Sequence, residues 1–163
     1  MPDTAADFVG TWRLLDYSFI HEDGVVEHPW GTEVRGYLLY SAEGYMSGNL
    51  SPARDWPSRR ARLAAAFKAH DGAGALQLAR RAGHREYIAY TGRYTVEGDT
   101  ITHHVEASLF PNWIGRPEVR YYKFEGDTLT LRTGPVRSGK HTIVAQLVWE
   151  RVRKENGSLS IEC

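Results

Sequence analysis

The 163-residue chain has a single cysteine, Cys163 at its last position, so no disulfide can form within it. The cross-links that hold many small secreted domains together are therefore excluded, and nothing signals an oxidising compartment. Net charge is missing as well, because 20 basic residues balance 20 acidic ones. No long-range field draws such a chain toward nucleic acid or an anionic membrane, and neither is expected as a partner. No apolar run approaches the roughly 20 residues of a membrane-spanning helix. Residues 1–7 are polar and carry Asp3 and Asp7, without the basic start and apolar stretch of a secretion signal. A cytoplasmic protein is expected. A Gly-rich phosphate loop, a paired-cysteine zinc site and a nucleophile elbow are also lacking, which argues against nucleotide and thiol chemistry and leaves no cofactor expected. The histidines do not gather into a metal site. His103 and His104 are adjacent on a strand and must point to opposite faces, while His21, His28, His70, His84 and His141 are scattered. A haem would ask for only one of them.

What the chain does contain is a 42% hydrophobic composition, enough for one domain to bury a core unaided. Eight segments rich in β-branched and aromatic residues, bounded by Gly, Pro, Asp or Ser, read as strands: about 8–20, 34–41, 44–50, 87–96, 100–109, 117–125, 128–133 and 142–152. Eight strands are what a small closed barrel needs, and closure removes the sheet edges that invite aggregation. Two hairpins are written alike, Tyr94-Thr95-Val96-Glu97-Gly98-Asp99-Thr100-Ile101 and Tyr122-Lys123-Phe124-Glu125-Gly126-Asp127-Thr128-Leu129. Each puts Gly-Asp at a two-residue turn of type II′. The expected fold is thus all-β, an eight-stranded antiparallel up-and-down barrel over residues 8–152. Between the third and fourth strands, Pro57 to Gly83 is rich in Ala, Arg and Leu on helical spacing and predicts two short helices, either a lid over one barrel opening or a plug in the core. Their arginines read as a solvated helix face. Residues 153–163 predict a flexible tail.

Gly10-Thr11-Trp12 at the head of the first strand and Trp149-Glu150-Arg151 near the end of the last resemble the lipocalin and calycin signature. Further segments are similar to a bacterial and fungal family of short lipocalin-like domain proteins. These are Gly36-Tyr37-Leu38-Leu39-Tyr40, Gly44-Tyr45-Met46-Ser47, Tyr90-Thr91-Gly92-Arg93-Tyr94, His103-His104-Val105-Glu106, Phe110-Pro111-Asn112-Trp113-Ile114-Gly115 and Gly126-Asp127-Thr128-Leu129-Thr130-Leu131. The resemblance implies that the first and last strands lie side by side and that Arg151 packs across Trp12 at the closed end of the barrel. Such a guanidinium–indole contact contributes about 0.5 to 2 kcal/mol. The missing signal and disulfide set the chain apart from secreted lipocalins and argue against extracellular transport.

The turns fix which side chains share a face. With Gly98-Asp99 at one turn, Val96 faces Ile101 and Tyr94 faces His103; with Gly126-Asp127 at the other, Phe124 faces Leu129 and Tyr122 faces Leu131. The apolar pairs mark the inside. That parity turns Ile88, Tyr90, Gly92, Tyr94 and Val96 inward, with Ile101, His103, Val105, Ala107 and Leu109 on the next strand, and Arg120, Tyr122 and Phe124 on the one after. His104, Glu106 and Ser108 point outward, unless a bulge between residues 100 and 109 swaps the faces, in which case His104 replaces His103.

An inward Arg120 asks for an anionic or oxygen-rich partner, either a ligand or a neighbour such as Glu106 or Glu118. His103 beside Tyr94 is either a general acid or base or a core histidine bonded to a tyrosine hydroxyl. Tyr90, Tyr94 and Tyr122 either hold a ligand by ring contacts and hydroxyls, with the Phe124 ring beside them, or are ordinary strand tyrosines. Asn112 and Trp113, in an aromatic-rich loop, read as a gate or entrance wall, or as packing against the helical segment, and Pro29-Trp30-Gly31 reads the same way at a barrel end. Two functions from different classes follow. One is a module that binds a small, mostly hydrophobic oxygenated molecule, anchored by Arg120 and enclosed by the tyrosines. The other is a cofactor-independent cyclase, isomerase or dehydratase of secondary metabolism, in which His103 moves a proton while Arg120 and Tyr94 stabilise developing negative charge. A barrel with a filled core that engages proteins is a third possibility.

Overall fold

The computed structural model describes residues 4–53, 87–138 and 141–153. A short helix α1 (Ala5–Phe8) leads into β1 (Gly10–His21), β2 (Val26–Glu27), β3 (Val34–Tyr40), β4 (Tyr45–Pro52), β5 (Ile88–Glu97), β6 (Thr100–Ser108), β7 (Pro117–Glu125), β8 (Thr128–Arg132), β9 (Val136–Ser138) and β10 (His141–Arg151). All ten strands join one antiparallel sheet, and the β1–β10 pairing closes it. The short β2 and β9 hang on the outer ends of β1 and β10, so eight strands form the barrel. Those two short strands and α1 were not expected. The helical insertion expected at 57–83 and the tail beyond Arg153 lie outside the described residues.

The Gly-Asp turns do what their chemistry allows. Gly98 and Gly126 hold φ of +59° and +61°, and no non-glycine among the described residues has positive φ, which fits type II′ and excludes type I′. The register follows as expected, with Tyr94 opposite His103, Val96 opposite Ile101, Tyr122 opposite Leu131 and Phe124 opposite Leu129.

Two bulges break the alternation. In β6 the register shifts at Glu106, so that Gly92 pairs with Val105 while Thr91 pairs with Ala107. A side chain at Gly92 would put its Cβ 1.9 Å from the His104 carbonyl oxygen, so only glycine lets the strands approach here. The bulge lies beyond His103, which keeps its inward position, whereas His104 stays outside, bonded to Thr95. The inward placement of Ala107 is corrected: past the extra residue the faces swap, Ala107 is exposed and Ser108 is half-buried. In β1 the shift falls between Leu14 and Asp16, so the inner face passes from Trp12 and Leu14 to Tyr17, which pairs with inward Leu147.

The closed end is packed with aromatic rings. Phe8, fully buried, makes edge-to-face contacts with Tyr40, Tyr122 and Phe124 at centroid distances of 5.5, 4.9 and 4.9 Å. The Trp12 indole N–H donates to the Phe8 carbonyl at 2.8 Å. Arg151 lies 4.2 Å above the Trp12 ring and donates to the carbonyls of Val9 and Asp7, so one guanidinium joins the last strand to the segment that enters the first.

Candidate functional site

Toward the other end the interior opens into a cavity of about 370 Å³. Leu50, Ile88, Leu131 and Leu147 make its apolar walls. Tyr17, Tyr90, Trp113, Trp149 and the Arg120–Glu118 pair supply its polar groups. The volume falls near the lower end of the roughly 300–1,000 Å³ typical of small-molecule sites, room for a ligand of one or two rings.

Arg120 reaches this wall because β7 pairs it with Ile101 of β6, two positions from the His103–Glu118 pair on the same inner face. Only 8% exposed, it donates from both terminal nitrogens to one carboxylate oxygen of Glu118, each at 3.1 Å, and to its neighbour's carbonyl on Val119 at 2.9 Å. The partner is therefore Glu118; Glu106 faces outward and pairs with Arg93. Both members of the pair line the cavity, which places one positive and one negative group in an otherwise uncharged enclosure.

His103 lies behind the cavity wall, 0% exposed. Its Nε2 is 2.7 Å from the Tyr40 hydroxyl and its Nδ1 is 3.1 Å from the Tyr90 hydroxyl. Burial, with the nearby Arg120 guanidinium and His104 adding to it, pulls its pKa down to about 3, so the ring is neutral at ordinary pH. Burial likewise raises the hydroxyls of Tyr40 and Tyr90, and pushes Tyr17 up to about 12. All three phenols are protonated. Tyr90 is wedged between Gly48, where an added Cβ would stand 3.1 Å from its ring, and Trp113, whose ring centroid is 5.4 Å away.

The structure thus brings Tyr90, Trp113 and Arg120 together on the cavity wall, with His103 directly behind Tyr90. It takes the others elsewhere. Tyr94 donates to the Ser41 carbonyl at 3.0 Å, and its ring packs against Tyr40 on the closed-end side. Tyr122, bonded to the Gly98 carbonyl at 2.8 Å, and Phe124 pack against Phe8. Asn112 is exposed in the loop that carries Trp113. Trp30 stacks on Tyr17 at 4.7 Å, joining its loop to the open end.

Three residues that give the cavity aromatic or charged groups are not assigned to a site by sequence reasoning. Tyr17 was hidden by the β1 bulge, for which the adjacent apolar pair Leu14-Leu15 was the available sign. Glu118 was weighed only as a neutralising partner. Trp149 was read only as part of a terminal motif, yet it lines the cavity, and its buried indole N–H has no hydrogen-bond partner among the described residues. Among the described residues no cluster of three or more His, Cys, Asp or Glu is arranged to hold a metal ion, and no helix is long and apolar enough to cross a membrane.

A closed antiparallel barrel with paired first and last strands, an arginine stacked on the first strand's tryptophan and an internal cavity is a calycin-type barrel. Residues 9–152 match the model of the lipocalin-like domain family, and the chain belongs to that family. Over 57 residues it is also 44% identical to the 4'-hydroxy-3'-methoxypropiophenone carrier protein of Aspergillus oryzae. That match covers 30% of this chain and 51% of the carrier protein, so the likeness spans about half of the relative's length.

Proposed function

We propose that the protein binds a small, mostly hydrophobic, oxygenated organic molecule inside its barrel. The observation that carries this reading is the cavity of about 370 Å³ whose apolar walls hold a nearly buried Arg120, paired with Glu118, and Tyr90. Apolar walls supply affinity through burial, and a few fixed polar groups orient the ligand. The partial likeness to a protein named as a carrier supports the same reading. The enzymatic alternative asks His103 to take up a proton near neutral pH. Its pKa of about 3 and the engagement of both ring nitrogens weigh against that role, and Tyr94 is turned away from the cavity. Holding a molecule is the reading that the geometry supports better.

The test is native mass spectrometry of freshly purified protein against its denatured mass, followed by tryptophan-fluorescence titration with 4'-hydroxy-3'-methoxypropiophenone as the first probe. Saturable one-to-one binding that disappears in Ala145→Phe, a change that fills the cavity, is the expected result. No co-purifying mass and no saturable binding, or binding unaffected by Ala145→Phe in a folded protein, would count against it.

A further inference from the structure

Counting protons in the Tyr40–His103–Tyr90 chain fixes what the cavity presents to a ligand. The three neutral groups carry three polar hydrogens between them and make two hydrogen bonds, so one hydrogen is left over. If the proton sits on His103 Nε2, it is donated to Tyr40, Tyr90 donates to Nδ1, and the hydrogen left over is Tyr40's. Tyr40 is buried in the closed-end core at 2% exposure, and its hydroxyl has no acceptor there among the described residues. If the proton sits on Nδ1, Tyr40 donates to Nε2, Nδ1–H donates to the Tyr90 oxygen, and the hydrogen left over is Tyr90's. Tyr90 is the one member of the chain that lines the cavity. An unused donor buried in the core costs its full desolvation, whereas one at a cavity wall can be met by a ligand. The second arrangement is therefore favoured.

We propose that Tyr90 is a specificity-determining hydrogen-bond donor, held in that role by the Nδ1–H tautomer of His103, and that the cavity selects ligands carrying an acceptor oxygen of the carbonyl type. A second donor on the wall agrees. The Trp149 indole N–H, on a residue lining the same cavity, is a second buried donor without a partner among the described residues. Tyr90 and Trp149 thus bring two unmet donors to the residues of the wall, and each favours a ligand that accepts. The inference rests on the binding reading above for its ligand, but not for its tautomer.

The first measurement is ¹⁵N NMR of histidine-labelled protein near neutral pH, in which protonated and bare ring nitrogens have distinct shifts. His103 is expected to show a protonated Nδ1 and a bare Nε2; protonation at Nε2 overturns the donor assignment by itself. The second compares 1-indanone with indane, the same ring system with and without a carbonyl, on wild type and Tyr90→Phe. Wild type should prefer indanone, and Tyr90→Phe should weaken indanone by about tenfold while leaving indane unchanged. Equal weakening of both compounds makes Tyr90 a packing residue and overturns the proposal. Wild-type protein that binds neither compound, with Nδ1 protonated, defeats the binding reading and the ligand half of this one together.

Discussion

Replacing His103 by glutamine and following stability against pH tests the buried imidazole where its energetic signature is largest. In the folded protein burial, with Arg120 and His104 adding to it, holds the His103 pKa at about 3; in the unfolded chain a histidine titrates near about 6.5. The unfolded state therefore takes up a proton that the folded state refuses. The stability contributed by the neutral ring is fully present above the unfolded pKa, and it drains away as the pH falls from there toward the folded one. Over that window the slope is one proton, a little over 1 kcal/mol per pH unit, so roughly 1 kcal/mol is lost by about pH 5.5 and about 3 kcal/mol by about pH 4.5. Glutamine does not titrate in this range and keeps a donor and an acceptor for the two tyrosines. Every other histidine and carboxylate is common to both proteins, so the difference between their pH profiles isolates His103. Urea denaturation at about pH 7.5, 5.5 and 4.5 supplies the numbers. The variant is expected to be the less stable at the highest pH, and the two profiles should draw together by about 3 kcal/mol at the lowest. Profiles that stay parallel would refute both the burial and the neutral state of the ring.

Three other outcomes follow from the geometry. Gly92→Ala should destabilise the barrel by about 3 kcal/mol or more in urea denaturation, because its Cβ would meet the His104 carbonyl at 1.9 Å; a loss below about 1 kcal/mol would mean that the bulge can slip. Arg120→Met should cost about 1 to 3 kcal/mol by leaving Glu118 without its partner, and the double change Arg120→Met with Glu118→Leu should recover part of it; strictly additive losses would show that the pair is not coupled. Arg151→Lys should cost about 1 to 3 kcal/mol in thermal or urea unfolding, since an ammonium cannot both lie flat on Trp12 and reach the carbonyls of Val9 and Asp7; full stability with lysine would make the stacking incidental.

The turn chemistry and the alternation made the fold legible. Gly98-Asp99 and Gly126-Asp127 each admit one hairpin geometry, and two apolar cross-strand pairs then assign a face to every residue between the turns. That is why His103, Arg120 and Tyr90 were recognised as inward. Bulges were not legible, because one extra residue leaves composition unchanged while it inverts parity; that is why Ala107 points outward against expectation and why Tyr17 gave no sign of lying inside. Height along the barrel was equally hidden. Tyr90 and Tyr94 share a strand and a face, yet four residues of extended chain separate them by about 13 Å. That distance carries one from the cavity to the aromatic core at the closed end. Which end a residue occupies depends on strand tilt and stagger, properties of the closed sheet rather than of any one segment. So the inner face was readable and the division of that face into core and site was not.

That division is itself the strongest reason to see a site. The inner faces of the same strands, with Phe8 from α1, fill the closed end with Trp12, Tyr40, Tyr94 and Phe124, each ring packed against others. A barrel selected for stability alone would repeat that solution at the open end, where leucines already line much of the wall. Instead the open end holds the charged pair of Arg120 and Glu118, and leaves the Trp149 donor unmet among the described residues. His103 stands at the boundary, bonded to a core tyrosine through one nitrogen and to a cavity tyrosine through the other. Polar groups that weaken a core are understandable where something enters to meet them. The prediction that separates the two views is that a filled cavity raises stability: saturating 1-indanone should increase the unfolding free energy of wild type by about 3 kcal/mol at a hundredfold excess over its dissociation constant, and should do nothing for Ala145→Phe. Stabilisation of both proteins alike would mean that the compound binds somewhere else.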